Sequence, residues 1–300
     1  MSYEDAISPK CTSTAGSIEL RVEPKEKSVG DFTVRRVLPS ADRRAVGPFV
    51  FFDHMGPVEL PPGKGINVRP HPHIGIATIT YLFDGEIMHR DSLGYEQPIL
   101  AGAINLMTAG KGIVHSECAG SDLDRLATLH GIQSWMALPT ELAEMQPAFE
   151  HVPAESLPRF DVDGVQVCII MGEAYGRASP VTTYSPILYL ECQLPKGAVL
   201  DLPDTYSELA VYVVSGSVGI DDDSYPGGVM AVACDGQPVT VAAHEDSRIM
   251  VIGGDSVGKR KLWWNFVATS PERLEQAKQD WKAGRFGSVP GDDEFIPLPE

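Results

Sequence analysis

The stretch RPHPHIGIATITYLFDGEIMHRDS, residues 69 to 92, begins with two histidines separated by one proline and continues as an alternating β-strand pattern. Residues two apart in a strand point to the same face, so the side chains of His71 and His73 lie on one side of a sheet. Pro72 cannot donate a hydrogen bond to a neighbouring strand, which places this point at a sheet edge or at the start of a strand. We therefore expect two neighbouring imidazoles at an open edge.

A second pair of polar residues has the same spacing. The sequence AGKGIVHSE, residues 109 to 117, has a glycine turn followed by a strand that presents His115 and Glu117 on one face. Two such pairs from separate strands of a small barrel could bring three imidazole nitrogens and one carboxylate oxygen to a single point. We predict that His71, His73, His115 and Glu117 bind a divalent metal ion.

The mixture of imidazole and carboxylate ligands restricts the type of ion. Thiolates favour zinc or iron-sulfur clusters and all-oxygen ligands favour calcium or magnesium, whereas this mixture fits Fe, Mn, Co, Ni, Cu or Zn. Four protein ligands on an ion that prefers six positions leave two for water, a chelating substrate or dioxygen, which indicates a catalytic site. Glu117 could remain a ligand, or swing off to act as a general base.

The other histidines are weaker candidates. His54 and His130 are placed near the rim of the site, without a polar partner on the same face. His89 is expected to support a ligand from behind or to bond Asp91. Two further histidines are interpreted as having no part in the site: His151 and His244.

Composition limits the classes of function. Lys and Arg total 24 against 41 Asp and Glu, and the resulting net charge of -17 repels nucleic-acid phosphates and anionic membranes. The start MSYEDAISPK lacks a signal-peptide pattern, and no stretch approaches the ~20 apolar residues of a membrane span. Five scattered cysteines without a CxxC pair suggest reduced thiols: Cys11, Cys118, Cys168, Cys192 and Cys234. We expect a cytoplasmic protein that binds neither nucleic acid nor membrane.

The chain reads as two β-rich domains followed by a helix. Its 29 Gly and 24 Pro separate short alternating runs, which is typical of β-sandwiches and barrels, and 300 residues favour two domains. The Pro- and Glu-rich stretch 136–160 predicts a linker, so we divide the chain into domains 1–148 and 149–300. The sequence SPERLEQAKQDWKAGRFG predicts a terminal helix, with Ser270 as its N-cap and Gly284 after its last turn.

Three segments together resemble the pirin family. They are HPHIGIATITYLFDGEIMHRDSLG, GAINLMTAGKGIVHSE and WWNFVATSPERLEQAKQDWKAGRFG. The resemblance implies an all-β fold of two cupin-type barrels (double-stranded β-helix, or jelly roll) with a C-terminal helix. It also implies that His71, His73, His115 and Glu117 are the ligands, that iron is the usual metal, and that the C-terminal barrel has lost its own site. The residues before HPH, 67–69, depart from the proline-rich or aromatic residues of pirins.

The second half echoes the first. The spacing of Tyr81, Gly85 and Asp91 recurs 131 residues later in Tyr212, Gly216 and Asp222. This constant offset predicts a duplicated fold. The positions that correspond to the four ligands are occupied by Leu202, Asp204, Val239 and Val241. The second barrel is therefore predicted to bind no metal.

The resemblance implies more than one function. As a quercetin 2,3-dioxygenase, the protein would bind a flavonol through its 3-hydroxyl and 4-carbonyl oxygens and open its ring with release of carbon monoxide, while Ile76 and Leu106 exclude bulk water. As a regulator, it would sense redox state through its iron and bind a basic protein partner, since its own surface is acidic. A non-oxygenase metal enzyme, such as an isomerase, is supported by fold analogy alone.

Overall fold

The computed structural model describes residues 4–5, 16–29 and 32–299, and β-strands dominate these residues. The sequence start MSYEDAISPK, apart from residues 4–5, and Cys11 lie outside the described residues. The strands up to residue 152 are β1 (Glu4–Asp5), β2 (Ile18–Val22), β3 (Lys25–Val29), β4 (Phe32–Leu38), β5 (Phe49–Leu60), β6 (Asn67–His73), β7 (Ile76–Asp84), β8 (Glu86–Asp91), β9 (Glu96–Leu100), β10 (Ile104–Thr108), β11 (Ile113–Ala119), β12 (Ala127–Ala137) and β13 (Ala148–Val152).

The rest of the chain continues the same pattern and ends in a helix. A 3-10 turn at Ala154–Ser156 precedes β14 (Arg159–Val162), β15 (Val165–Ala174), β16 (Arg177–Ala178), β17 (Ile187–Leu194), β18 (Val199–Asp201), β19 (Glu208–Ser215), β20 (Ser217–Ile220), β21 (Asp223–Pro226), β22 (Met230–Ala233), β23 (Thr240–Ala243), β24 (Ser247–Gly254), β25 (Lys261–Trp263), β26 (Phe266–Ala268) and α1 (Pro271–Lys282). None of the described helices has the length and apolar character needed to cross a membrane.

Each half of the chain forms a barrel from one large and one small sheet. The first barrel combines the order β13-β10-β7-β12-β5-β4-β3 with β6-β11-β8-β9. The second combines β14-β15-β17-β24-β19-β22-β2 with β18-β23-β20-β21. When the second large sheet is read from its other end, each of its strands corresponds to the strand at the same position in the first large sheet. The strands of the two small sheets correspond in the order given. The predicted all-β fold of two cupin barrels and its duplication are confirmed.

The two large sheets exchange their edge strands. β2 pairs with β22 in the second sheet, and β13 pairs with β10 in the first. The predicted linker 136–160 therefore contains a strand, because Phe149 stacks on His89 at 4.6 Å between ring centroids and Val152 is buried. These apolar contacts outweigh the Pro and Glu content around them. The division at residues 148 and 149, at the start of β13, stays a prediction.

The large sheets pack face to face, and their shared core joins the two barrels. Phe49 of the first barrel meets Tyr189 of the second edge to face, with ring centroids 5.4 Å apart. Leu106 lies in this core beside Ile79, so the prediction that it shields the metal site is wrong. Alternate residues of a strand face opposite sides, and Ile76 instead packs inside the first barrel.

The terminal helix has the predicted boundaries. The Ser270 hydroxyl accepts a hydrogen bond from the Arg273 backbone N–H at 3.2 Å, and Gly284 follows the last turn with a positive φ of 67°. Leu274 and Ala277 are fully buried on the face that packs against β25 and β26. The N-cap, helix and C-terminal glycine are confirmed.

The C-terminal segment returns to the first barrel at the end of β6. The Val267 backbone N–H donates to the Ile74 carbonyl at 3.2 Å, and Phe266 forms a bridge with Ile74. Further along, the Ile296 N–H donates to the Pro70 carbonyl at 2.8 Å. The β25–β26 hairpin and the tail therefore flank the strand that carries the first histidine pair.

Candidate metal centre

Three histidines converge inside the first barrel. β6 is an edge strand, as the proline between its histidines predicted, and it pairs with β11 so that His71 faces His115. One ring nitrogen from each of His71, His73 and His115 lies within 4.8 Å of the other two. The Nε2 atoms of His73 and His115 are 3.1 Å apart. All three side chains are buried.

Backbone carbonyls fix the tautomers of two of these imidazoles. His71 Nδ1–H donates to the Arg69 carbonyl at 2.9 Å, and His73 Nδ1–H donates to the Asn265 carbonyl at 3.2 Å. A carbonyl can only accept, so Nδ1 carries the hydrogen in both rings and Nε2 keeps its lone pair. Metal-binding histidines are commonly oriented in this way.

The donor set fits a transition-metal ion. Burial lowers the pKa of His71 to about 4 and lowers the pKa of His73 and of His115 well below the ordinary value, so all three rings are neutral at pH 7. Two nitrogens that each lie about 2.1 Å from one ion, at a right angle, are about 3.0 Å apart. The observed 3.1 Å between His73 and His115 matches this spacing.

Glu117 lies beside the histidines with its carboxylate held by neighbouring side chains. Gln133 Nε2 donates to both carboxylate oxygens at 2.8 and 2.9 Å, and the Thr80 hydroxyl donates to Oε1 at 3.3 Å. Burial raises the pKa of Glu117, and these hydrogen bonds oppose the rise. The carboxylate does not belong to the group formed by the three histidine nitrogens, which lie within 4.8 Å of one another. Its role as a ligand stays a prediction.

His89 bonds Asp91, which is one of the two roles expected for it. Its Nε2 lies 3.0 Å from Asp91 Oδ2, as expected, and its ring centroid is 5.3 Å from that of His115. Cys118 follows Glu117 in the strand and so faces the opposite side, where Arg90 Nη1 donates to its sulfur at 3.5 Å.

His54 and His130 lie elsewhere, so their placement near the rim is wrong. Their Nε2 atoms are 2.9 Å apart, and His54 Nδ1 is 2.7 Å from the hydroxyl of Tyr212 in the second barrel. They form a contact between the barrels. The sequence gives no sign of this contact, because His54, His130 and Tyr212 come from three different strands.

A cavity of about 540 Å³ opens onto His71 and Glu117. The ring of Phe51 stacks on that of Trp135 at 3.9 Å and forms one wall. Further lining residues come from β4, β5, β6, β12 and the C-terminal segment, and they include Arg36, Asp53, Gln133, Asn67, Arg69, Leu262, Trp264 and Ile296. Sequence reasoning drew attention to residues 67–69 and missed the others, although Gln133 and Trp135 show the same two-residue spacing as His71 and His73.

The equivalent point of the second barrel is apolar. The Leu202 N–H donates to the Val239 carbonyl at 2.9 Å, which is the pair that corresponds to His71 and His115. Leu202, Val239 and Val241 are buried, and Asp204 is exposed. Across the part of the chain that the structure describes, the three histidines of the first barrel are the one group arranged to bind a metal.

Comparisons with known proteins agree with this architecture. The family model described as Pirin matches residues 31–136, and the model described as Pirin C-terminal cupin domain matches residues 189–287. A pirin-like protein of Caulobacter vibrioides is 47% identical over 289 residues, which cover 94% of this chain and 100% of the relative.

Solved structures share the fold. A quercetin 2,3-dioxygenase from Acinetobacter baumannii matches with a TM-score of 0.87 and 32% identity, covering 94% of this chain and 95% of that one. A bacterial pirin from Escherichia coli in complex with nickel(II) matches with a TM-score of 0.62 over 79% of this chain and 99% of the other. Its identity of 20% supports a likeness of fold alone.

Proposed function

The chain belongs to the pirin family, and from that premise we propose that it is a metal-dependent oxygenase that opens the central ring of flavonols at a mononuclear iron site. The observation that carries the proposal is the convergence of three neutral, buried imidazoles at a cavity with an aromatic wall. The likeness to a solved quercetin 2,3-dioxygenase supports the choice of substrate.

His71, His73 and His115 would hold the metal, with Glu117 as the fourth protein ligand or as the general base. Bound iron would supply Lewis acidity toward the flavonol oxygens and a redox partner for dioxygen. Glu117 Oε1 accepts two hydrogen bonds and Oε2 accepts one, which makes Oε2 the better acceptor for the proton of the flavonol 3-hydroxyl.

The cavity walls provide the environment that the reaction needs. Phe51 and Trp135 line the cavity with the edges of their stacked rings, and Ile76 belongs to the same apolar cluster. A cavity of about 540 Å³ lies within the usual size range of small-molecule sites. Close apolar contact would keep bulk water away from the opened ring.

Reconstitution with ferrous iron tests the proposal. Quercetin added under air should lose its flavonol absorbance and release carbon monoxide in equal amount. His73→Ala should lose both iron and turnover, because it removes a ligand. Glu117→Gln should lose turnover, and its iron content separates the two roles of this residue: lost iron indicates a ligand, and retained iron indicates a base.

His244→Ala is the matched control, because His244 is exposed in the second barrel and is not among the residues that line the cavity. It should keep both iron and turnover. Wild-type protein with one bound iron per chain and no turnover of quercetin would overturn the oxygenase. That result would favour the alternative, a regulatory protein that senses redox state through its iron and binds a protein partner.

A further inference from the structure

A row of polar side chains crosses the cavity wall away from the histidines. Gln133 on β12, Asp53 on β5 and Arg36 on β4 stand directly opposite one another on adjacent strands, and all three line the cavity. The row begins at Glu117, which accepts hydrogen bonds from Gln133. Adjacent strands are about 4.8 Å apart, so Arg36 stands about 10 Å beyond Gln133.

The guanidinium of Arg36 is fixed in place. Its Nε and Nη2 donate to the two carboxylate oxygens of Asp53 at 2.8 Å each, and its central carbon lies 4.3 Å from the centroid of the Phe51 ring. Such a two-point contact holds the planar fork in one orientation. Nη1 makes no hydrogen bond with any residue that the structure describes, so it remains available to a ligand.

The charge around this donor restricts what it can recognise. Asp53 is 3% exposed, and its negative charge balances that of Arg36. The other two charged lining residues, Arg69 and Glu117, also balance each other, so a carboxylate or phosphate at Nη1 would meet the adjacent Asp53 charge without a net positive charge of the cavity lining. A neutral oxygen, in a hydroxyl or a carbonyl group, accepts the hydrogen bond without that repulsion.

We infer that Arg36 is a specificity-determining residue that selects planar aromatic substrates with a neutral oxygen, such as a phenolic hydroxyl, at the end remote from the metal. The inference rests on the proposed function for the position of the metal-bound end. Phe51, which lies between Trp135 and the Arg36 guanidinium, and Asp53 together keep the Arg36 donor aimed at the remote hydroxyl.

A binding measurement tests this without turnover. The probes are quercetin, which has hydroxyls on its outer ring, and 3-hydroxyflavone, which has none there but keeps the metal-chelating oxygens. Wild-type protein loaded with ferrous iron and kept without dioxygen should bind quercetin about tenfold more tightly, as judged by quenching of tryptophan fluorescence. Arg36→Lys should bring the two dissociation constants close together, because lysine still pairs with Asp53 but lacks the fixed second donor.

Arg21→Lys is the matched control. Arg21 also pairs with a carboxylate, Glu23 at 2.7 Å, and lies over the ring of Tyr225 at 5.6 Å, but on a different sheet. It should leave the tenfold ratio unchanged. If Arg36→Lys unfolds, a double variant, Arg36→Gln with Asp53→Asn, replaces it in the test. This variant removes both charges together, and it should bind quercetin and 3-hydroxyflavone equally well.

The outcomes separate this inference from the proposed function. An unchanged ratio in folded Arg36 variants, or a wild type without preference, would overturn the role of Arg36. Tight and selective binding without turnover under air would overturn the oxygenase and leave the role of Arg36 standing. Binding of neither flavonol by iron-loaded protein would overturn both.

Discussion

Trp264 combines a strained backbone with a side chain that lines the cavity. Its φ of 53° lies in the left-handed region, which costs a bulky residue about 1–2 kcal/mol. The ring lines the cavity, and its centroid is 5.5 Å from that of Phe266. The next residue, Asn265, provides the carbonyl that orients His73. The strained turn therefore brings an aromatic ring to the cavity and the Asn265 carbonyl to His73.

Trp264→Asn should separate these two contributions. Asparagine tolerates a left-handed backbone, so the turn and the Asn265 carbonyl should persist while the ring is lost. We expect unchanged iron content and a KM for quercetin that rises about fivefold, since one aromatic contact contributes about 1 kcal/mol. Trp264→Phe keeps an aromatic ring and should recover most of the affinity. Loss of iron from Trp264→Asn would show instead that the ring is needed to support His73.

At this scale the convergence of the three histidines was predictable, and the groups that orient them were not. His71, His73 and His115 are recognisable because side-chain identity and two-residue spacing carry the information. Their orientation depends on the carbonyls of Arg69 and Asn265, and every residue has a carbonyl. No pattern in the sequence could therefore indicate which carbonyls orient the histidines.

Among the elements, the β25–β26 hairpin packs closely against the chain that follows β6. Gly75 follows β6 with a φ of 69°, and a Cβ atom added there would lie 2.1 Å from the carbonyl oxygen of Val267. Gly94 has a similar φ of 90°, but an added Cβ there meets nothing within 4 Å. The two glycines thus share a backbone conformation and differ in their surroundings.

Gly75→Ala and Gly94→Ala should differ accordingly. Gly94→Ala should lower the free energy of unfolding by about 1 kcal/mol, the cost of the left-handed backbone alone. Gly75→Ala should lower it by about 3 kcal/mol and weaken iron binding, because the hairpin must move and take the Asn265 carbonyl from His73. Urea unfolding and iron content per chain measure both effects. Equal losses in the two variants would contradict the proposed importance of hairpin docking.

Elements with strong local signals were predictable, whereas those set by long-range pairing were not. The helix begins and ends as expected because Ser270 and Gly284 act within one turn of their own position. β13 was read as linker, since its partner β10 lies about 40 residues earlier and only that pairing makes Ala148–Val152 a strand. The exchange of β2 and β13 depends on both barrels at once.

In the whole molecule, the repeated tyrosines join the barrels. Tyr81 of the first barrel donates to Glu191 of the second at 2.5 Å, and the hydroxyl of Tyr212 lies 2.7 Å from His54 Nδ1 in the first. The 131-residue repeat thus reflects two equivalent contacts across the shared core. Charge complements them, because Arg159 lies 3.3 Å from the Glu191 carboxylate.

The repeated glycines have the same structural role in both barrels, but the repeated aspartates do not. Gly85 and Gly216 make the same turn, with φ of 93° and 82°. Asp91 is fully buried and accepts hydrogen bonds from the backbone of Leu93, whereas Asp222 is exposed. The duplication could be predicted from the sequence, but its third match carried no structural information.

His54 makes the contact between the barrels sensitive to pH. Burial, followed by the nearby charge of Arg35, lowers its pKa to about 2, whereas an unfolded histidine titrates near 6.5. Between these values the unfolded chain binds a proton at this position and the folded chain does not. The free energy of unfolding must therefore fall as pH falls below about 6.5, by up to about 1.4 kcal/mol per pH unit from this residue.

His54→Gln isolates this contribution. Glutamine does not titrate, so the variant should lose stability less steeply than the wild type between pH 6.5 and 4.5, by up to about 1.4 kcal/mol per pH unit. Urea unfolding with a chelator present measures the slope, because the three metal-site histidines then contribute equally to both proteins. The variant should also be less stable at pH 7, since the hydroxyl of Tyr212 loses its partner. Parallel slopes would mean that His54 takes up a proton in the folded protein as readily as in the unfolded chain, so that its pKa is not lowered by burial.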